Sequence, residues 1–367
     1  MHPTRSSDQS DQALRVVAIG GGTGLSTLLR GLKRYVAAPD RRKGFRGGRR
    51  AEDLLPAYAS SDVPCVIRDL SAVVTVTDDG GSSGRLREDL NMLPPGDVRN
   101  CLVALSEDEH LLSRLFQFRF DQGELEGHSF GNLFVAALSS ITGDFAQAVQ
   151  MSSQILATRG RIFPATNTNV ELAARMDDGS IVEGETNITA SKLRIVELML
   201  RPETVDPLPE ALHAIEQADL ITLGPGSLYT SLITNLLVRG IPEALAQSQA
   251  TKVYVCNLMT QANESLGLTA SQHIEKILQH AGNTSGPIFS HALLNTAPIS
   301  AKVLEQYARE GQSPIEVDLE RVRALGVEPI TGNFVHEGDV LRHDYDRVAE
   351  VLLELAGAKL HPAGARR

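Results

Sequence analysis

The chain has 367 residues, with 45 Asp and Glu against 35 Lys and Arg, for a net charge of −10. Hydrophobic residues make up 42% and charged residues 22%, proportions that exclude a mainly disordered chain, a collagen-like fibre and a coiled coil. No apolar run reaches the ~18 residues of a membrane span, and the acidic balance argues against a nucleic-acid binder that works by broad electrostatic attraction.

The opening MHPTRSSDQSDQ has no apolar core, so no secretory signal is expected and residues 1–13 are read as a disordered terminus. Residues 14–19 (LRVVAI) form an apolar, β-branched run that predicts a strand buried on both faces. Gly20–Gly24 follow at once, and residues 25–35 then take helical spacing. Residues 37–62 break the pattern with six basic residues among glycines and are read as a basic surface insertion. Regular structure resumes with a strand over 70–77, then helices near 97–105, 109–118, 129–141 and 145–156. Short strands are expected at 161–164, 169–176, 180–183 and 193–200, with the DDG at Asp177–Gly179 joining two of them as a hairpin. The span 161–200 is therefore expected to be a small antiparallel patch. Strand and helix then alternate: strands at 220–223, 252–256 and 288–291, helices at 229–238, 242–247 and 270–279. This order predicts an α/β fold, a mostly parallel three-layer sheet in one domain over 14–357, with a tail over 358–367.

The chemistry-bearing residues gather at predicted strand ends, where open α/β sheets bind ligands. The first cluster is Gly21, Gly22, Thr23 and Gly24. It lacks the strict G-x-G-x-x-G spacing and the G-K-[ST] of a P-loop, yet its glycines let a phosphate approach the backbone at a helix N-terminus. The second is DDGGSSGR, where Asp78, Asp79, Ser82 and Ser83 combine carboxylates and hydroxyls; the two acids suit either a ribose hydroxyl or a Mg²⁺ bridging phosphate oxygens. The third, Gly224, Gly226 and Ser227, repeats a glycine turn before a helix. The fourth is Asn257, after a strand. Asn100 and the GHSFGN segment, with His128 and Asn132, open two further helices. Each has a plainer reading as a turn, an N-cap or a structural histidine. Cys65, Cys101 and Cys256 are odd in number and form no CxxC, so buried small apolar residues are expected rather than a disulfide framework or a zinc site. That usage fits a reducing, cytoplasmic setting.

Taken together, IGGGTGLSTLLRGLK, TVTDDGGSSGRLR, PPGDVRNCLVALS, GHSFGNLFVAAL, TLGPGSLYTSLITNLLV and YVCNLMTQANES resemble the bacterial gluconeogenesis factor family, related to the 2-phospho-L-lactate transferases of coenzyme F420 synthesis. The resemblance spans about 14–355, with ANESLGLTAS as a local departure. It implies a Rossmann-like fold, a cytoplasmic protein and a role in cell shape and cell-wall homeostasis on gluconeogenic carbon sources. It also implies binding of a UDP-sugar such as UDP-N-acetylglucosamine, a regulatory protein partner and a homodimer. The transferase relatives use nucleotide-activated phospholactate with Mg²⁺. Carried onto this chain, the nucleotide and phosphate side falls on Gly21–Gly24, Gly224, Gly226 and Ser227, and the acidic turn on Asp78 and Asp79. Asn187 and Asn257 match polar positions of the family pattern.

Overall fold

Seven strands lie side by side, all parallel: β1 (Leu14–Gly20), β2 (Ile67–Val74), β3 (Arg161–Pro164), then β7 (Leu220–Leu223), β8 (Thr251–Val255), β9 (His291–Asn295) and β10 (Glu328–Gly332). Between them, β4 (Glu171–Met176), β5 (Ile181–Glu183) and β6 (Ile195–Arg201) form a separate three-stranded antiparallel sheet; β11 (Val335–Glu337) and β12 (Leu341–His343) form a hairpin. The computed structural model describes residues 13–37, 63–107, 111–358 and 360. Expectations for 1–12, for the basic segment at 38–62 and for 361–367 lie outside those residues.

The sheet order is β10-β9-β8-β7-β1-β2-β3. The chain therefore builds outward from β1 through β2 to β3, returns to the other side of β1, and builds outward again from β7. The reversal falls between β1 and β7, which pair from Val16↔Leu220 to Ile19↔Leu223. At such a switch point the crossing helices leave on opposite faces of the sheet and open a crevice at the carboxyl ends of the two strands. The sequence reason for β1 at the centre is its composition: Val16 to Ile19 are each at most 2% exposed, as only a strand covered on both faces requires. The helix that follows, Gly22–Lys33, turns Leu25, Leu28, Leu29 and Leu32 inward at helical spacing, each at most 1% exposed. Burying each such leucine is worth roughly 1.5–3 kcal/mol, and that fixes the glycine corner to the sheet.

Several expectations need correction. Arg161–Pro164 is not part of the antiparallel patch; it pairs parallel with β2, Ser71↔Arg161 to Val74↔Pro164, because it follows a helical crossover rather than a hairpin. The antiparallel sheet starts only at Glu171, and the DDG turn does join β4 to β5. The last predicted strand is shifted from 288–291 to His291–Asn295, where Ala292, Leu293 and Leu294 are fully buried between β8 and β10. The segment expected as an α-helix from 229 opens as a π-helix, Leu228–Ile233. There the Ser227 carbonyl accepts from both Ser231 and Leu232, and the Thr234 hydroxyl donates to the Tyr229 carbonyl, which widens the turn. Cys101 and Cys256 are buried as expected, but Cys65 is exposed. Among the described residues, no helix is long and apolar enough to cross a membrane.

Candidate functional site

The two glycine turns meet at the switch point. Gly22 has φ +62°, a backbone state that favours glycine, and opens the Gly22–Lys33 helix. A side chain on Gly21 would strike Thr75 Cγ2 at 2.5 Å and Asp97 Oδ2 at 2.7 Å; one on Gly24 would strike the carbonyl of Pro225, with Gly226 N at 3.0 Å. The first corner is therefore pressed against the Gly224–Ser227 turn backbone to backbone, and Gly226 in turn lies near the Gly21 carbonyl. Thr23 is exposed at the outer edge of the corner. Ser227 Oγ accepts from Gln261 Nε2 at 3.0 Å, and Gln261 Oε1 accepts from Asn257 Nδ2 at 3.2 Å, so the loop after β8 is tied to the same turn.

Carboxylates line the other wall. Asp78 accepts the Gly80 amide at 3.0 Å, and its second oxygen lies 2.6 Å from where a Gly96 side chain would begin, next to Ser83. Asp79 turns the other way. It accepts both the amide (2.8 Å) and the hydroxyl (2.5 Å) of Thr186, and it faces Gly184 beside Asn187. The electrostatic partner of Asp78 is Asp97, which accepts the Gly22 amide. Burial, then the Asp78 charge, pushes the Asp97 carboxyl up to about 7. Glu185 is pushed up to about 9 by burial, then by Asp78, Asp97, Glu264 and Asp79. Glu264 is also raised, chiefly by burial, although Thr230 and Tyr229 donate to it. Asp97, Glu185 and Glu264 are thus each held above the ordinary carboxylate range, burial being the largest cause in all three.

The remaining expected residues form a third group. Ser82 Oγ bonds His128 Nδ1 at 3.0 Å and accepts from Asn132 Nδ2 at 3.1 Å, all three buried. Asn100 accepts from Arg99, whose other nitrogen donates to Ser129, the N-cap of the Phe130–Thr142 helix. Ser82 and Ser83 share one helix, Gly81–Leu90, so this group adjoins the Asp78 wall. The structure thus joins the two glycine turns to Asn257, sets the Ser82, His128 and Asn132 group on the helix beside Asp78, and splits Asp78 from Asp79, which faces Thr186 and Asn187. Sequence reasoning missed Asp97, Glu185 and Glu264 as members of the wall. Asp97 had a signal, a polar helix start after Pro94–Pro95–Gly96; Glu185 and Glu264 had none, since only the fold brings them near. A hollow of about 240 Å³ lies elsewhere, at the amino ends of β1 and β2, lined by Arg15, Asp69, Arg161, His213 and others. Its charges are met internally, Arg15 by Asp219 and Arg161 by Asp69.

Comparison with known proteins decides the family. The sequence profile of 2-phospho-L-lactate transferase CofD matches residues 16–335. The chain belongs to the CofD family. Within it, the chain is 47% identical over 341 residues to a protein named gluconeogenesis factor from Halalkalibacterium halodurans, covering 92% of this chain and 95% of that one. It is 43% identical over 346 residues to the gluconeogenesis factor of Bacillus subtilis, covering 94% and 98%. A crystal structure of a UPF0052 family member from Bacillus halodurans superposes with a TM-score of 0.82 at 47% identity, over 93% of this chain and 99% of that one. The membership covers the whole sheet, both glycine corners and the acidic wall, so it places the chain with the gluconeogenesis factors as the six sequence segments implied.

Proposed function

We propose that the crevice between β1 and β7 binds a nucleotide sugar of the UDP-N-acetylglucosamine type, and that this chain is a cytoplasmic regulatory protein coupling that ligand to cell-wall and cell-shape homeostasis on gluconeogenic carbon. The observation that supports it is the backbone contact between two glycine turns at the switch point, Gly21–Gly24 on Pro225 and Gly226. A helix start at the carboxyl end of a strand is where a diphosphate is favoured, and Ser227 and Asn257 add hydrogen-bonding groups beside it. A regulatory output through a protein partner, with the chain as a homodimer, belongs to the same reading. Calorimetric titration with UDP-N-acetylglucosamine tests it. A dissociation constant in the micromolar range, about −8 kcal/mol, is expected, and the absence of heat at high protein concentration overturns it.

A second reading, phosphoryl transfer of the 2-phospho-L-lactate transferase type, is favoured by the family profile and by the coupled carboxylates. Among the described residues no three His, Cys, Asp or Glu are grouped to hold a metal ion. The pair Asp78 and Asp97 instead suits a Mg²⁺ held by one or two carboxylates plus substrate phosphates; when bound, such an ion neutralises phosphate charge. This chain's own contribution would be to orient the phosphate at the start of the Gly22–Lys33 helix. Turnover of nucleotide-activated phospholactate with Mg²⁺ and a deazaflavin acceptor would establish this reading, and its absence alongside tight UDP-sugar binding would leave the first.

A further inference from the structure

Beside the acidic wall lies a group of cations that the nucleotide-sugar reading does not use. Arg85, from the Gly81–Leu90 helix, donates to the Glu126 carbonyl at 2.6 Å. Arg119 donates to the Gly127 carbonyl, and Arg99 donates to Ser129 Oγ at 2.8 Å. Three separate elements thus bring one guanidinium each to the stretch 126–129. Gly127, at φ +80°, leaves the room: a side chain there would meet Arg85 Nη2 at 2.9 Å. Among the described residues none of the three makes an ion pair, whereas Arg15, Arg159, Arg161 and Arg175 are each met by a carboxylate. Arg85 and Arg119 are exposed. The Arg119 charge acts unfavourably on Arg99, and a bound anion relieves that repulsion.

His128 sits among them. Its Nδ1 lies 3.0 Å from Ser82 Oγ, which also accepts from Asn132 Nδ2. Nδ1 is the acceptor placed to take the Ser82 hydroxyl proton, an arrangement that puts the ring hydrogen on Nε2 and that the NMR measurement below tests. Burial, then the Arg85 charge, lowers the His128 pKa, which favours the neutral ring. No acceptor among the described residues meets its Nε2–H. The acid whose charge bears on this ring is Asp89, exposed on the same helix as Arg85, and Asp97 and Asp78 act on Arg99 from the crevice side.

We infer that Arg85, Arg99, Arg119 and the Nε2–H of His128 form an oxyanion site for a phosphate-type dianion, separate from the crevice at the glycine corners. Guanidinium forks match the paired oxygens of a phosphate, and a neutral imidazole donor adds direction without further charge repulsion. A second, phosphorylated small molecule is thereby held next to the nucleotide sugar. The site does not depend on what the crevice binds.

Inorganic phosphate is the probe, titrated calorimetrically with and without saturating UDP-N-acetylglucosamine, with acetate as the monoanion control. The full chain is compared with the double variant R85Q/R119Q, whose substitutions are at exposed positions and whose melting temperature is checked first. Phosphate is expected to bind more tightly than acetate, to bind equally well in the presence of the nucleotide sugar, and to weaken by at least about tenfold in the double variant. The nucleotide-sugar affinity should not change in that variant. Nitrogen-15 NMR of His128 should show a neutral ring protonated on Nε2, with the Nε2 shift moving on phosphate addition. Phosphate that fails to bind, binds the double variant equally, is displaced by the nucleotide sugar or is matched by acetate overturns the inference; so does a ring protonated on Nδ1. If UDP-N-acetylglucosamine does not bind while phosphate still shows the arginine dependence, the proposed function fails and this site stands.

Discussion

Asp97 is the residue on which the crevice turns. It lies where two requirements meet: it accepts the first amide of the Gly22–Lys33 helix, and it faces Asp78. Its folded-state carboxyl, near 7, stands above the unfolded value of 3.8, so the folded state holds a proton that the unfolded chain gives up. The stabilising contribution is complete at pH below about 4 and is lost as pH rises through about 7; Glu185 extends the loss toward about 9. Asp97→Asn keeps an acceptor for the Gly22 amide but removes the titration. Its melting temperature should therefore exceed that of the parent at pH 8 by several degrees and match it near pH 4, as followed by calorimetry. Equal pH slopes would show that Asp97 is not the titrating group. Gly24 makes a different kind of demand. Gly24→Ala sets a methyl group against the backbone of Pro225 and Gly226, which cannot rotate away as a side chain can. We expect a loss of about 1–3 kcal/mol in urea denaturation together with loss of nucleotide-sugar binding.

At the scale of elements, the crevice depends on how its helices and strands are anchored. Lys252, in β8, is 7% exposed, and its ammonium donates to the carbonyls of Leu245 (2.7 Å), Ser248 (3.0 Å) and Pro287 (3.0 Å). It thereby closes the carboxyl end of the Ile241–Gln247 helix and ties it to the segment leading to β9. Lys252→Met strands three carbonyls in a buried setting and should cost about 2–3 kcal/mol, read as a lower urea midpoint at unchanged slope. The helix ends were legible in part. Ser129, Asp144 and Thr269 each cap an expected helix with the side-chain bond that such residues make; the helix Tyr345–Leu355, capped by Asp344, was not among those expected. The π-helix at Leu228–Ile233 was not legible, because its widened turn depends on one carbonyl, that of Ser227, held in place by the glycine corner. Nor was the assignment of Arg161–Pro164 to the main sheet, because four residues of strand carry no mark of which neighbour they will pair with.

For the whole molecule, the sheet order makes one crevice from segments about 200 residues apart in the chain. Its test is thermal: a UDP-sugar at roughly 100 times its dissociation constant should stabilise the fold by about 2.7 kcal/mol, while GDP and NAD leave the melting temperature unchanged. A shift with NAD alone would mark a dinucleotide site instead. The order β7-β1-β2 also explains why the two glycine turns, separated in sequence, act on the same groove.

The chain by itself determined what is local. Apolar runs fixed β1, β7 and β8 to within a residue or two, and glycines after β1 and β7 marked the corners, since only a residue without a side chain tolerates such backbone approach. The tertiary structure alone decided which acids share a wall. Asp78 and Asp79 are neighbours in sequence, yet the fold sets Asp78 against Asp97 and Asp79 against Thr186. The coupling of Glu185 and Glu264 to the same wall arises from the antiparallel sheet and the loop after β8 closing over it, a long-range juxtaposition that no spacing along the chain encodes.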